Sequence, residues 1–230
     1  GRQIRRIAHA HESALVVGSS VVLQAVTAAD NVDERVPVTQ ASTGGDASRP
    51  EHVGPTFVLA GSLSPVTAAQ VRATKGYVKH PLHAGLLLND AAYRTAQIQH
   101  ICDALGAQQH VLAYIDQQHG RDNAFKSADL AAATAQFVQS ILQSLSEQGR
   151  RLGRLGIAGG DTSSQAIAQL DVWALSYSCV LSPGVTVCTM HSDDPALDGL
   201  TVMLKGGQMG SEDLFDKLLQ VQGARQAVTF

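Results

Sequence analysis

The chain alternates short apolar runs with longer segments in which apolar residues recur every three or four positions. TFVLAG (56–61), GLLLN (85–89), HVLAYI (110–115), RLGIAG (154–159), WALSYSCVL (173–181), VTVCTM (185–190) and LTVMLK (200–205) read as strands. Helical spacing predicts helices over 65–79, with Pro65 in the first turn, over 91–105, stopped by Gly106, and over 162–170 and 211–220. The longest helix is expected over 127–148, where Leu130, Ala133, Phe137, Ile141 and Leu145 keep to one face. Upstream, residues 4–10 read as the last turns of a helix, ALVVG (14–18) as a buried strand and 20–29 as the helix after it. Strands alternating with helices across short connections imply an α/β fold. The expected form is a three-layer α/β/α arrangement with a mostly parallel sheet and some antiparallel strands near the C-terminus.

Residues 30–55 break the pattern. NVDERVPVTQASTGGDASRPEHVGP is polar, aperiodic and rich in Gly, Pro and Ser, as a linker is. The expected division is therefore 1–29, a 30–55 linker, and a main unit over 56–230. The opening GRQIRRIAHAHESALVVGSS has no initiator Met and reads like the middle of a fold, so the chain is expected to be part of something longer.

Composition adds exclusions. The 230 residues are 44% hydrophobic and 16% charged, with a net charge of −3 and no basic stripe, which gives no reason to expect nucleic acid. Arg150, Arg151 and Arg154 form the densest positive run and read as a solvated helix end. No apolar run reaches membrane length, so no membrane partner is expected. Cys102, Cys179 and Cys188 are far apart and form no CxxC pair, so a reducing cytoplasm is the default. His80 and His83 straddle Pro81, and His119 lies in a polar loop; none belongs to a convincing metal set. Trp173 is expected in the core.

Candidate chemistry sits where ligands bind in open α/β sheets, beyond the carboxyl ends of strands. Three such ends carry glycine with small hydroxyl residues and lead into helices: Gly61-Ser62-Leu63-Ser64-Pro65-Val66-Thr67, Gly159-Gly160-Asp161-Thr162-Ser163, and Gly206-Gly207-Gln208-Met209-Gly210-Ser211. Bare backbone, hydroxyl donors and a helix N-terminus suit an anion. Lys205, at a strand end, would bring a positive charge to the same rim; a plain surface lysine is the other reading. Asp161 or Thr162 would also serve as a helix cap without any ligand. The phosphate-binding patterns GxxxxGK[ST] and GxGxxG are absent.

GSLSPVTAAQ (61–70), AGGDTSSQAI (158–167), SPGV (182–185) and LKGGQMGSEDLF (204–215) stand in an order that resembles the C-terminal nucleotide-binding domain of the four-carbon acid sugar kinases. The resemblance covers 56–220, and residues 1–29 are similar to the tail of that family's N-terminal substrate domain. It implies an ATP-dependent kinase acting on the terminal hydroxyl of a threonate, erythronate or 3-oxo-tetronate, with ATP and Mg²⁺ as cofactors and a homodimer as an option. It also implies site residues: Ser62, Ser64 and Thr67 toward phosphate; Gly159, Gly160, Asp161 and Thr162 around the triphosphate; Gly184 as a nucleotide wall; and Gly206, Gly207 and Gly210 against the nucleotide. Asp161 would partner Mg²⁺ and Lys205 would neutralise the transferring phosphate. Three departures stand out. Val21 replaces the glycine of the family's VGSSG-like turn. Gly206-Gly207-Gln208-Met209-Gly210 stands where Ser-Gly-Asn-Phe-Gly is common. The Asp-Asp-Leu-Thr-Gly motif of the substrate domain is absent from these residues. The alternative function is a non-catalytic phosphosugar- or nucleotide-binding module.

Overall fold

The computed structural model describes residues 53–116 and 126–221. The readings for residues 1–52 and for the 117–125 stretch, which include residues 30–52 of the linker, Ser19, Ser20 and His119, lie outside the described residues. In chain order the elements are β1 (Thr56–Ala60), α1 (Pro65–Ala73), β2 (Val78–Leu82), α2 (Ala84–Asn89), α3 (Ala91–Gly106), β3 (Val111–Ile115), α4 (Ser127–Glu147), β4 (Arg154–Ala158), α5 (Gly160–Gln169), β5 (Ala174–Ser182), β6 (Val185–His191), β7 (Thr201–Lys205) and α6 (Leu214–Gln220).

The strands form one sheet in the order β2-β3-β1-β4-β7-β6-β5. The first five in that order run parallel, and β6 is antiparallel to both β7 and β5. The side-chain alternation of a strand sorts the core into two halves. Phe57 and Leu59 pack with Ile101 of α3, Phe137 and Ile141 of α4 and Ala166 of α5. Val58 and Ala60 face the other way, with Val71 of α1 and Leu214, Phe215 and Leu218 of α6. The fold is therefore the expected three-layer α/β/α, with its antiparallel strands toward the C-terminus. The face of α4 is wider than the periodicity gives: Thr134, Val138 and Leu142 are buried as well, and Ala133 is only half-buried.

Two elements differ from the sequence reading. The helix expected over 65–79 ends at Ala73, because the Lys75-Gly76 turn is pinned from α6. The Asp216 carboxylate accepts from Thr74 Oγ1, Lys75 N and Gly76 N at 3.0–3.1 Å. The chain then enters β2, whose VKHPL sequence carries Pro81 on a sheet edge, where a missing N–H is tolerated. GLLLN is consequently not a strand but the core of α2. His83 Nδ1 accepts from Leu86 N at its start, and Asp90 caps α3 directly after it. A short apolar run suits either state, and here the caps and the occupied sheet edge decide for helix.

The connections also create a crevice. After β1 the chain leaves toward β3 and β2; after β4 it leaves toward β7, β6 and β5. The carboxyl ends of β1 and β4 therefore flank the point where the winding reverses, where open α/β sheets bind ligands.

Candidate functional site

The three glycine-bearing loops are brought together by strand order and register. Ala60 pairs with Ala158, and Ala158 with Lys205, across the adjacent parallel strands β1, β4 and β7. The next residue in each strand is a glycine: Gly61, Gly159 and Gly206. Pairing continues one step further, with Ser62 N donating to Ala158 O at 3.0 Å and Gly159 N to Lys205 O at 2.9 Å. Gly159 has φ 135°, which glycine alone adopts without strain, and serves as the N-cap of α5. That cap has no side-chain hydrogen bond, so neither Asp161 nor Thr162 caps the helix. Asp161 is exposed in the first turn, where its charge complements the helix dipole. Thr162 is buried and wedged between loops rather than open to a ligand. A Cβ on Gly160 would meet nothing within 4 Å, so this glycine borders open space.

The N-terminal half of α1 holds the third loop from one side. Ser64, Thr67 and Gln70 are three residues apart and so share a helix face. Ser64 is the N-cap, its Oγ accepting from Thr67 N at 3.1 Å while donating to Gly207 O. Thr67 Oγ1 donates to the same carbonyl at 2.9 Å. Gln70 Nε2 lies 3.0, 3.1 and 3.0 Å from the carbonyl oxygens of Met209, Gly210 and Ser211. These hydroxyls point into the protein. Ser62 is different: it receives Ser64 N at 3.2 Å and lies over Gly207, so close that a Cβ there would be 2.4 Å from its Oγ.

Lys205 is neither a rim charge nor a surface lysine. It is 2% exposed. Its Nζ donates to Thr67 Oγ1 at 3.0 Å, Gln70 Oε1 at 2.8 Å and Gly207 O at 3.4 Å. All three partners are neutral, so burial pushes its pKa down to about 8. The alternation of β7 puts Lys205 on the same face as Met203, beneath α1.

Gly184 closes the β5–β6 hairpin with φ 75°, and Met209 packs against it where a Cβ would sit. Gly210, with φ 90°, lies beside Leu214 and Gln70. Other expectations need correcting. Trp173 is 64% exposed and stacks near His191 instead of entering the core. The arginine run is not simply solvated: Arg150 donates to Cys102 O and Arg154 to Val221 O. Among the described residues no group of three or more His, Cys, Asp or Glu side chains could hold a metal ion, and no helix is long and apolar enough to cross a membrane. A groove lined by Gln143, Arg151, Leu170 and Asp194 lies at the opposite, amino-terminal edge of the sheet and shares no residue with these loops.

Gln70 was not among the residues singled out from sequence. The signal was its spacing, three polar positions at one-turn intervals on a short helix that starts in a glycine-serine loop.

Residues 57–215 match the family described as nucleotide-binding C-terminal domain. A 3-oxo-isoapionate kinase of Paraburkholderia graminis is 31% identical over 172 residues, covering 68% of this chain and 37% of the relative. A 3-oxo-tetronate kinase of Burkholderia multivorans is 31% identical over 188 residues, covering 78% and 41%. The chain thus spans about two fifths of the length of these curated relatives. Among solved structures, a domain of unknown function from Bordetella bronchiseptica, crystallised with bound citrate as a domain-swapped dimer, aligns with a TM-score of 0.61 at 18% identity over 74% of this chain and 41% of that one. A Haemophilus influenzae protein of the same domain family aligns with a TM-score of 0.61 at 21% identity, over 74% and 40%. These two likenesses establish the fold.

Proposed function

The chain belongs to the four-carbon acid sugar kinase family, through that family's nucleotide-binding C-terminal domain, and we propose that it supplies the ATP-binding part of a kinase that phosphorylates the terminal hydroxyl of a four-carbon sugar acid of the threonate, erythronate or 3-oxo-tetronate type. The observation that carries this reading is the row of three glycines in register, Gly61, Gly159 and Gly206, at the point where the winding of the sheet reverses.

Phosphoryl transfer depends on positioning and on stabilising charge spread over the transferring group. Gly159 and Gly160 keep the approach to α5 bare, and the first turn of α5 directs unpaired N–H groups and a positive dipole end to the rim. Lys205 holds its charge beneath the 206–211 loop among neutral oxygens that solvate it without cancelling it. Its field therefore favours an anion above that loop. Ser64 and Thr67 act as scaffold for the loop, and Ser62 is the hydroxyl placed over it. Asp161 fits the role of Mg²⁺ partner: it is an exposed carboxylate at a phosphate-favouring helix start, and Mg²⁺ binds through one or two carboxylates together with phosphate oxygens. When bound, the ion would neutralise phosphate charge. The dimeric Bordetella structure supports a homodimer here, and the three free cysteines agree with a reducing, cytoplasmic setting.

Thermal unfolding of the chain with and without ATP and Mg²⁺ tests the proposal. Ligand at 100 times its Kd adds about 2.7 kcal/mol, and Gly160→Val, binding at least tenfold more weakly, is expected to cut that gain to about 1.4 kcal/mol or less. A folded wild type that gains nothing from ATP and Mg²⁺ sinks the reading. Stabilisation by phosphosugars in its place would favour a non-catalytic binding module.

A further inference from the structure

We propose that Gln70 is the positioning residue of the 206–211 loop: its carboxamide draws the loop's carbonyl groups toward α1, so that a phosphate approaching from the other side meets N–H edges and not oxygens. The proposal rests on the nucleotide-binding reading above and deepens it.

Gln70 is fully buried, and both ends of its carboxamide are used. The Nε2 end serves three successive carbonyls, Met209, Gly210 and Ser211, at 3.0–3.1 Å. Two N–H donors shared among three acceptors place the nitrogen at the centre of the turn. The Oε1 end accepts from the Lys205 ammonium at 2.8 Å. A fourth carbonyl of the loop, Gly207 O, is held on the same side by Ser64 and Thr67.

The consequence follows from peptide geometry. In a planar trans peptide the carbonyl and the following N–H point opposite ways, and the described residues contain no cis bond. Drawing the oxygens of Gly207, Met209, Gly210 and Ser211 toward α1 therefore turns the N–H groups of Gln208, Gly210, Ser211 and Glu212 away from it. Of these, Ser211 N donates to Ser182 Oγ at 3.1 Å, which ties the loop to the end of β5. A buried leucine at position 70 would take the side-chain partner from the Met209 and Gly210 carbonyls, leave Ser211 O with Leu214 N, and leave the ammonium with Thr67 Oγ1 and Gly207 O. A glutamate would set a carboxylate against the carbonyls and cancel the Lys205 charge. Only a carboxamide meets both needs.

The test uses the 230-residue chain and two variants, Gln70→Leu and Gln70→Glu, with inorganic tripolyphosphate, Mg·ATP and adenosine as probes in calorimetric titrations. The expected result is at least a tenfold loss of affinity for tripolyphosphate and Mg·ATP, with adenosine affinity changed less than threefold. A merely structural role would move all three probes together. In Gln70→Glu, part of the lost affinity, measured relative to wild type, is expected to return between pH 8 and pH 5 as the carboxyl gains a proton it can donate; Gln70→Leu has no such recovery. If Gln70→Leu does not fold, Gln70→Glu and its pH profile carry the test. Wild type that binds Mg·ATP, with variants within twofold of it, overturns the positioning role and leaves the nucleotide reading standing. Wild type that binds neither phosphate probe overturns both.

Discussion

Gly61 and Thr162 are in such close contact that a β-carbon on Gly61 would fall 2.6 Å from the threonine hydroxyl oxygen and 3.0 Å from its methyl carbon. The loop after β1 and the first turn of α5 thus form the floor of the crevice by direct packing. Overpacking such a contact costs about 1–3 kcal/mol. Gly61→Ala is expected to lower the urea midpoint accordingly, and Thr162→Ala should remove most of that penalty by making room. Strictly additive losses in the double variant would show that the two residues do not share this contact.

Gly160 behaves differently, because its neighbourhood is open. Gly160→Ala is expected to leave stability within about 0.5 kcal/mol of wild type or raise it slightly, since alanine is the better helix former. Gly160→Val should fold normally but bind Mg·ATP at least tenfold more weakly. Unfolding curves and binding isotherms from the same preparations separate the two effects, and normal ATP affinity in Gly160→Val would remove the phosphates from this position.

The buried Lys205 gives a pH signature of its own. Its pKa is pushed down to about 8 from the ordinary value of 10.5. Between those values the unfolded chain binds the extra proton, so this residue makes stability rise with pH; below about pH 8 its burial penalty, on the order of 3 kcal/mol, is present in full. Lys205→Met lacks the penalty. Its stability relative to wild type should therefore fall between pH 7 and pH 10, and the raised pKa values of Cys102 and Tyr77, common to both proteins, drop out of the difference. A difference that stays flat with pH would mean that Lys205 titrates as an exposed lysine does.

Bound phosphate should restore the Lys205 proton. ATP affinity is accordingly expected to fall as pH rises from 7.5 to 9.5, by up to about tenfold per unit above the free pKa, and to be flat over that range in Lys205→Met. Calorimetry in buffers of different ionisation enthalpy would detect the proton taken up near pH 8. Equal pH slopes in the two proteins would place Lys205 out of electrical contact with the ligand.

Asp161→Asn probes the metal. Asparagine keeps the shape of the exposed side chain and removes its charge. ATP alone should bind as well as or better than to wild type, while the gain on adding Mg²⁺ should shrink by at least tenfold. An unchanged Mg²⁺ response would assign Asp161 to the helix dipole alone.

The three loops that make up the candidate site are legible in the sequence. Gly61, Gly159 and Gly206 could be picked out because three separate apolar runs end in glycine with hydroxyl residues ahead of a helix, although each loop taken alone also reads as a helix cap. What could not be read was direction. Ser64 and Thr67 looked like phosphate donors, yet their hydroxyls turn inward to Gly207 O. Lys205 looked like a rim charge, yet strand alternation carries it under α1. A side chain's type does not reveal which face of the sheet it occupies when its neighbours are apolar on both sides.

The sequence by itself determined the elements with strong periodicity and the three loops with their chemistry, because these depend on neighbours in the chain. Only the tertiary structure decided that the β1, β4 and β7 loops lie side by side, that VKHPL and not GLLLN enters the sheet, and that Gln70 reaches residues 209–211. Those outcomes depend on strand order, on who occupies an edge, and on hydrogen bonds between residues some 140 positions apart. Local propensity carries no information across that distance.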